Sequence, residues 1–255
     1  MRVLDWQDLI TGQPLPRPAA MTIGVFDGVH RGHQALITRI VGRGLEPVVV
    51  TFRQNPRLFF DSANYMGDIS SLAQKLSLFE SLGVAITILI DFSSDFSRLS
   101  GRDFIDFLTT YGNMAYLVIG AQFRCGHGLD TDAVLIKRVN EQNGVETELV
   151  DMVLDGAETV SSSRIRAAIR AGDFGAAEAD MGRAFTLDIE SADSSSTAPD
   201  NWKRCSVRRL LPPDGTYRVV VAERETEIEI TNGTIMLPAF LDAAHVTHIK
   251  FLKNI

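Results

Sequence analysis

Cysteine is nearly missing from this chain of 255 residues: Cys125 and Cys205 are the only two, far apart and outside any CxxC pair. That excludes a disulfide framework and agrees with a reducing compartment. Long apolar runs are absent as well. Nothing approaches the roughly 20 consecutive apolar residues that cross a bilayer, and the opening "MRVLDWQDLITG" has no apolar h-region followed by a small-residue cleavage site. A cytoplasmic protein with no membrane partner is therefore expected. Positive charge is in deficit, with 25 Lys and Arg against 32 Asp and Glu, a formal net charge of −7. A general nucleic-acid binder needs clustered cations to neutralise phosphates, so that class is excluded and any phosphate must be held locally. No internal repeat is present. The 45% hydrophobic and 22% charged content is that of an ordinary globular protein.

What is present is an alternation of short apolar runs and amphipathic segments. "AMTIGVF" (20–26), "EPVVVTF" (46–52), "VAITILI" (84–90), "MAYLVIG" (114–120) and "ETELVDM" (146–152) read as strands. Helices are predicted at 32–43, with Ala35, Leu36, Ile40 and Val41 on one face, and near 70–82, 100–110 and 131–142. Continuous apolar strands separated by helices imply an α/β, Rossmann-like domain with a parallel sheet covered on both faces. Ligands bind such sheets at the carboxyl ends of the strands. Three polar loops, "DGVHRGH", "RQNP" and "AQFRCGHG", follow strands of this set and are expected at that edge.

Further on, Ser162 or Ser163 is expected to cap a helix running to 170, ended by Gly172, with a second helix at 173–181. Residues 188–201, "DIESADSSSTAPDN", are Ser-rich and acidic and read as a linker. Beyond it, "CSVRRLL", "TYRVVVAER", "TEIEI", "TIMLP" and "HVTHIKFL" alternate around the turn signals Pro213-Asp214-Gly215 and Asn232-Gly233. That spacing predicts a small antiparallel β barrel-like domain. The expected division is 1–186, a linker at 187–201, and 202–255.

The stretch richest in chemistry is "IGVFDGVHRGHQALI", 23–37. Gly32 permits close backbone approach at a strand-to-helix turn, where helix N–H groups and the dipole favour an anion. His30 and His33, three apart around the first turn, can both donate ring N–H bonds to phosphate oxygens. The bland alternative is a pair that caps the turn or bonds a carbonyl. A metal site from these two with Cys125 or His127 lacks the usual ligand spacing, and none is expected. A second anion-binding pattern, "SSSRIR" (161–166), joins three hydroxyls and two guanidinium groups at another helix start, although any Ser also makes a good N-cap. Two such patterns suggest one nucleoside triphosphate spanning both. His245 and His248 in "HVTH" fall on opposite faces of a strand and are read as structural.

"IGVFDGVHRGHQALI", "VVVTFRQNP", "VIGAQFRCGHG" and "VSSSRIRAAIRAGDFGAAEADMGRAF" resemble, in order and spacing, four segments of the bacterial FAD synthetases, the bifunctional riboflavin kinase/FMN adenylyltransferases. The likeness spans about 18–186. It implies adenylyl transfer from ATP to FMN with Mg²⁺, giving FAD and pyrophosphate. On this resemblance His30, His33 and Arg166 are the catalytic set. Gly24, Phe26, Asp27, Gly32, Ser161, Ser162 and Ser163 serve ATP, Asp27 either orienting the loop or holding a magnesium-bound water, the competing reading being a structural role in the turn. Arg53, Asn55, Gln122, Phe123 and Arg124 serve the flavin, Arg53 contacting the FMN phosphate or standing solvated. Several positions depart from the family pattern: Ser163 stands for Thr, Asn55 for His, Arg53 for an acid, Gln122 for Asp or Asn, and Cys125 for an aromatic.

In that family the C-terminal domain phosphorylates riboflavin with a Gly-rich loop and a "PTxN" segment. Neither occurs after Phe185, and "STAPDN" has similar letters in the wrong order. The last 70 or so residues are read as a degenerate, truncated riboflavin-kinase-like domain without kinase activity. The competing readings are a nucleotidyltransferase acting on another phosphorylated acceptor, and a non-catalytic flavin- or nucleotide-binding protein. The partners expected are small-molecule substrates, and oligomeric state is not readable.

Overall fold

The structure, a computed structural model of the chain, describes residues 1–93, 95–189, 202–206 (backbone only), 209–238 and 248–253. Most of the expected linker, His245 and the Cys205 side chain lie outside the described residues. Contacts divide the chain into two compact units. Unit one holds Met1–Phe26, Gly32–Tyr65 and Lys75–Leu154, and unit two Asp27–Arg31, Met66–Gln74 and Asp155–Ile255.

Unit one is a six-stranded sheet of β1 (Arg2–Asp5), β2 (Ala19–Ile23), β3 (Glu46–Phe52), β4 (Ile86–Ile90), β5 (Met114–Gly120) and β6 (Glu146–Val150), in the order β1-β4-β3-β2-β5-β6. Every pairing is parallel. The predicted α/β, Rossmann-like class is therefore observed. Strands β2 and β4 are buried at every position, which is why their sequences are near-continuous apolar runs, each with one buried threonine, Thr22 and Thr87. Because the strands are parallel, the ends of β3, β2 and β5, adjacent in the sheet, feed their loops to one edge, as expected.

The helices are α1 (Trp6–Thr11), α2 (Arg31–Val41), α3 (Pro56–Phe60), α4 (Leu72–Ser81), α5 (Gly101–Thr110) and α6 (Ala133–Gln142). Ser100 caps α5 by accepting from Asp103 N, and Asp132 caps α6 through Leu135 N. Three expectations need correction. The first strand stops at Ile23 rather than running to 26, because Phe26 has left-handed backbone. The fully buried residues of α2 are Ile37 and Ile40, whereas Ala35, Leu36 and Val41 are half-buried. The loop "RQNP" leads into a short helix, since Pro56 at its first turn needs no N–H partner.

Unit two carries α7 (Ser162–Arg170), α8 (Phe174–Met181) and an antiparallel sheet of β7 (Thr186–Asp188), β8 (Trp202–Ser206), β9 (Gly215–Val221), β10 (Arg224–Thr231), β11 (Thr234–Pro238) and β12 (His248–Phe251). The strand order is β7-β12-β9-β10-β11-β8. This is the small antiparallel sheet predicted, but Thr186–Asp188, placed in the linker from residue 187, is a strand paired with β12. Nor does "TYRVVVAER" form one strand: it turns at Ala222-Glu223, where φ is 47° and 62°. Asn232-Gly233 forms the matching tight turn (φ 51° and 70°) that its sequence announces. Helices α7 and α8 share the apolar core of this sheet through Ile165, Ile169, Phe174, Phe185, Val219 and Phe251.

Candidate active site

Gly24–His30 connect β2 to α2, and the backbone there is strained. Phe26, Gly28 and Val29 have φ of 53°, 79° and 38°. A Cβ at Gly28 would lie 3.2 Å from the Ile69 side chain, so glycine is required both for its angle and for space. A β-branched residue such as Val29 rarely adopts positive φ, and such strain persists only where the surroundings over-determine it. In unit one they do so by packing: the fully buried Phe26 ring stands edge-on to Phe79 (5.6 Å) and His33 (5.0 Å). Whatever Phe26 offers a nucleotide is thus confined to its backbone. Just before it, the Val25 carbonyl accepts from Thr51 Oγ1 (3.1 Å) and from the buried Lys75 Nζ (3.3 Å).

In unit two the loop is held by polar contacts centred on Asp27. Its Oδ1 accepts from Ile69 N (2.9 Å) and Ser70 N (3.2 Å), and its Oδ2 pairs with Arg166 Nη2. Its carbonyl accepts from Ser162 Oγ at 2.8 Å. The "DGVHR" turn and the "SSSRIR" segment, more than 130 residues apart in sequence, therefore meet directly. The Asp27 carboxylate is thereby engaged by two backbone N–H groups and one guanidinium.

The α7 cap differs from expectation. Ser161, rather than Ser162 or Ser163, accepts from Arg164 N (3.2 Å). That leaves the Ser162 hydroxyl for Asp27, while Ser163 is exposed. Arg166 is 12% exposed, so its pair with Asp27 is largely desolvated. His30 is 7% exposed. Burial, and then the nearby Arg183 guanidinium, push its imidazole down to about 4. Near neutrality it is an uncharged ring with one N–H to donate. His33, on the first turn of α2, is half-buried. Two anion-seeking segments in contact, with a buried neutral imidazole and a desolvated guanidinium, are equipped to hold phosphate oxygens and stabilise charge on them.

A family profile for FAD synthetase matches residues 12–164. The chain belongs to the FAD synthetase family. The bifunctional riboflavin kinase/FMN adenylyltransferase of Escherichia coli (strain K12) is 28% identical over 210 residues, 79% of this chain and 67% of that relative. The FAD synthetase of Listeria monocytogenes serovar 1/2a is 26% identical over 227 residues, 85% of this chain and 89% of its own. Among solved structures, a macrolide-efflux protein from Streptococcus pneumoniae superimposes with a TM-score of 0.77 over 100% of this chain and 91% of its own. At 22% identity that likeness is one of fold alone.

The flavin residues carried over from the FAD synthetase resemblance all lie in unit one, in mixed settings. Arg53, just past β3, is engaged by two carboxylates, Asp5 at the end of β1 and Asp91 (3.0 Å) just past β4. Asn55 is buried and caps α3, its Oδ1 accepting from Arg57 N at 3.1 Å. Gln122 and Arg124 are exposed, and Phe123 is half-buried against the unit-one core. Burial, then Asp130, push the Cys125 thiol up to about 12, so it is no thiolate at neutral pH. His127 Nδ1 lies 2.9 Å from Ser97 O. Among the described residues no group of three His, Cys, Asp or Glu could hold a metal ion, and no helix is long and apolar enough to cross a membrane.

Two features escaped the sequence reading. Phe59 and Phe60 are 51% and 69% exposed and form an aromatic cluster with Phe92, with centroids 5.2–5.4 Å apart. Their signal is the apolar pair of "PRLFF", a short polar loop beyond the end of β3. Lys75 is 6% exposed and its Nζ links the carbonyls of Val25 and Phe52 (3.0 Å), so one ammonium ties the loops that follow β2 and β3. In sequence it was only a polar position in an amphipathic helix.

Proposed function

We propose that the chain transfers the adenylyl group of ATP to FMN, giving FAD and pyrophosphate, and that it lacks riboflavin kinase activity. The observation that carries this reading is the contact of Ser162 and Arg166 with Asp27, which draws the second phosphate-seeking segment onto the first in a member of the FAD synthetase family. An oxygen of the FMN phosphate attacks the α-phosphorus of ATP. The bond to the bridging oxygen of the β-phosphate breaks, and its electron pair leaves with pyrophosphate. The attacking phosphate is already ionised near neutrality, so no side chain has to remove a proton. Positioning and charge stabilisation are left to the protein. We assign His30 and His33 to oxygens around the α-phosphorus. Because His30 is uncharged, it acts by hydrogen bonding, and the positive charge comes from Arg166 and the amide N–H groups of the loop. Ser162, Ser163 and Arg166 hold the departing pyrophosphate.

Magnesium fits this chain only as an ion that travels with ATP. Asp27, the carboxylate in the loop, already binds two backbone N–H groups and Arg166, and the described residues form no acidic cage. When bound to the phosphates, the ion would neutralise part of their charge. The exposed Phe59 and Phe60 rings, clustered with the half-buried Phe92, suit a flat heteroaromatic ring, which supports a flavin as acceptor.

The test is to incubate the purified chain with ATP, Mg²⁺ and either FMN or riboflavin and to separate the flavins by chromatography. FAD from FMN, with no FMN from riboflavin, is expected. No FAD from FMN would overturn the activity, and FMN from riboflavin the loss of the kinase. His33→Ala should lower turnover by at least about tenfold, as for loss of one transition-state donor.

A further inference from the structure

Arg183 follows α8 and its left-handed cap residue, Gly182, near the end of the "VSSSRIRAAIRAGDFGAAEADMGRAF" segment, where no role has been assigned to it. Its guanidinium turns inward to the strained loop. Nη2 donates to Gly28 O at 2.7 Å, and Nη1 to Val29 O at 3.2 Å and Met181 O at 3.4 Å. Its partners are peptide carbonyls, and among the described residues no carboxylate pairs with it. Burial pushes it down to about 10, so the charge is retained at neutral pH despite desolvation. A half-buried cation without an anionic partner among the described residues is an expensive way to fill space. What it achieves is specific: with Ser162 on Asp27 O, three successive carbonyls, those of residues 27, 28 and 29, are held by side chains. In a trans peptide the N–H of the next residue points opposite to the carbonyl, so the N–H groups of Gly28, Val29 and His30 are directed away from those side chains. Successive N–H groups presented this way suit an anion.

We propose that Arg183 is a positioning residue for adenylyl transfer: by holding the Gly28 and Val29 carbonyls it maintains the strained turn that presents the loop amides and the His30 ring to the ATP phosphates. The proposal rests on the assignment of His30 to ATP. It does not depend on which acceptor is used. Two substitutions separate positioning from bulk stability. Arg183→Lys keeps the charge but cannot span two carbonyls with a planar fork, and Arg183→Met keeps the stem and removes the charge.

With folded variants, kcat/KM for ATP should fall about tenfold to a hundredfold in both, while KM for FMN changes less than about threefold. ATP binding without FMN, measured by calorimetry, should weaken in parallel. The second readout is the His30 Cε1 proton in NMR. The charged group that acts on it is Arg183, and Arg31 is its neighbour in sequence. Removing the Arg183 charge should let His30 titrate at a higher pH in Arg183→Met, whereas Arg183→Lys should leave it near the native value. Should Arg183→Met fail to fold, Arg183→Gln replaces it in both readouts. Unchanged kcat/KM for ATP together with an unchanged His30 titration in the folded variants would overturn the proposal. Should the chain bind ATP but make no FAD, a loss of ATP affinity in the variants keeps this inference while the FMN reading fails.

Discussion

The neutral, buried state of His30 makes stability depend on pH in a way that can be calculated. In an unfolded chain the imidazole titrates near 6.5, and in the fold near 4, because burial and then Arg183 disfavour its charged form. Between those values the unfolded state binds more protons than the native state. The free energy of unfolding therefore rises with pH across that window, is lost as pH falls from about 6.5 to 4, and is flat above it. At pH 5 the unfolded imidazole is almost fully protonated while the native one is mostly neutral. Relative to pH 7.5, the single site then costs about 2 kcal/mol. The perturbation is His30→Gln, which keeps a polar, hydrogen-bonding side chain and removes the titration. Urea unfolding of both proteins at pH 7.5 and pH 5 gives the result as a difference of differences, so any packing loss in the variant cancels. The native protein should lose about 2 kcal/mol more than His30→Gln on going to pH 5. Equal losses would mean that His30 titrates normally in the fold, and the assignment of a neutral donor to the ATP phosphates would go with it.

Two other outcomes follow from the same contacts. Asp27→Ala leaves Arg166 desolvated without its carboxylate and two backbone N–H groups without an acceptor, which should lower stability by about 3–5 kcal/mol in urea unfolding. Asp27→Asn, which retains the Oδ1 acceptor, should lose less, and a loss under about 1 kcal/mol in the alanine variant would contradict the central place given to Asp27. Phe60→Ser removes an exposed ring, so stability should stay within about 0.5 kcal/mol while KM for FMN rises and KM for ATP does not. An unchanged KM for FMN would take Phe60 out of the flavin site.

The alternation of parallel strands and helices, the hairpin at Asn232-Gly233 and the positions of both phosphate-seeking segments were determined by the sequence itself. Each rests on adjacent residues: burial on both faces demands near-continuous apolar runs such as "ITILI", and a turn with two positive φ values favours Asn-Gly. Even so, the second hairpin turns at Ala222-Glu223 without a glycine, because strand pairing on both sides imposes the angle that the residues themselves disfavour. Likewise Ser161, Ser162 and Ser163 are equivalent as letters. Only the helix start and the approach of the Asp27 carbonyl decide that the first caps α7 and the second reaches the loop. The tertiary structure alone brought Asp27 to Arg166, Arg183 to the Gly28 and Val29 carbonyls, and Lys75 to Val25 and Phe52. Such contacts join single polar residues far apart along the chain. They leave no periodicity to read, because their partners are chosen by strand order and core packing and not by neighbours in sequence.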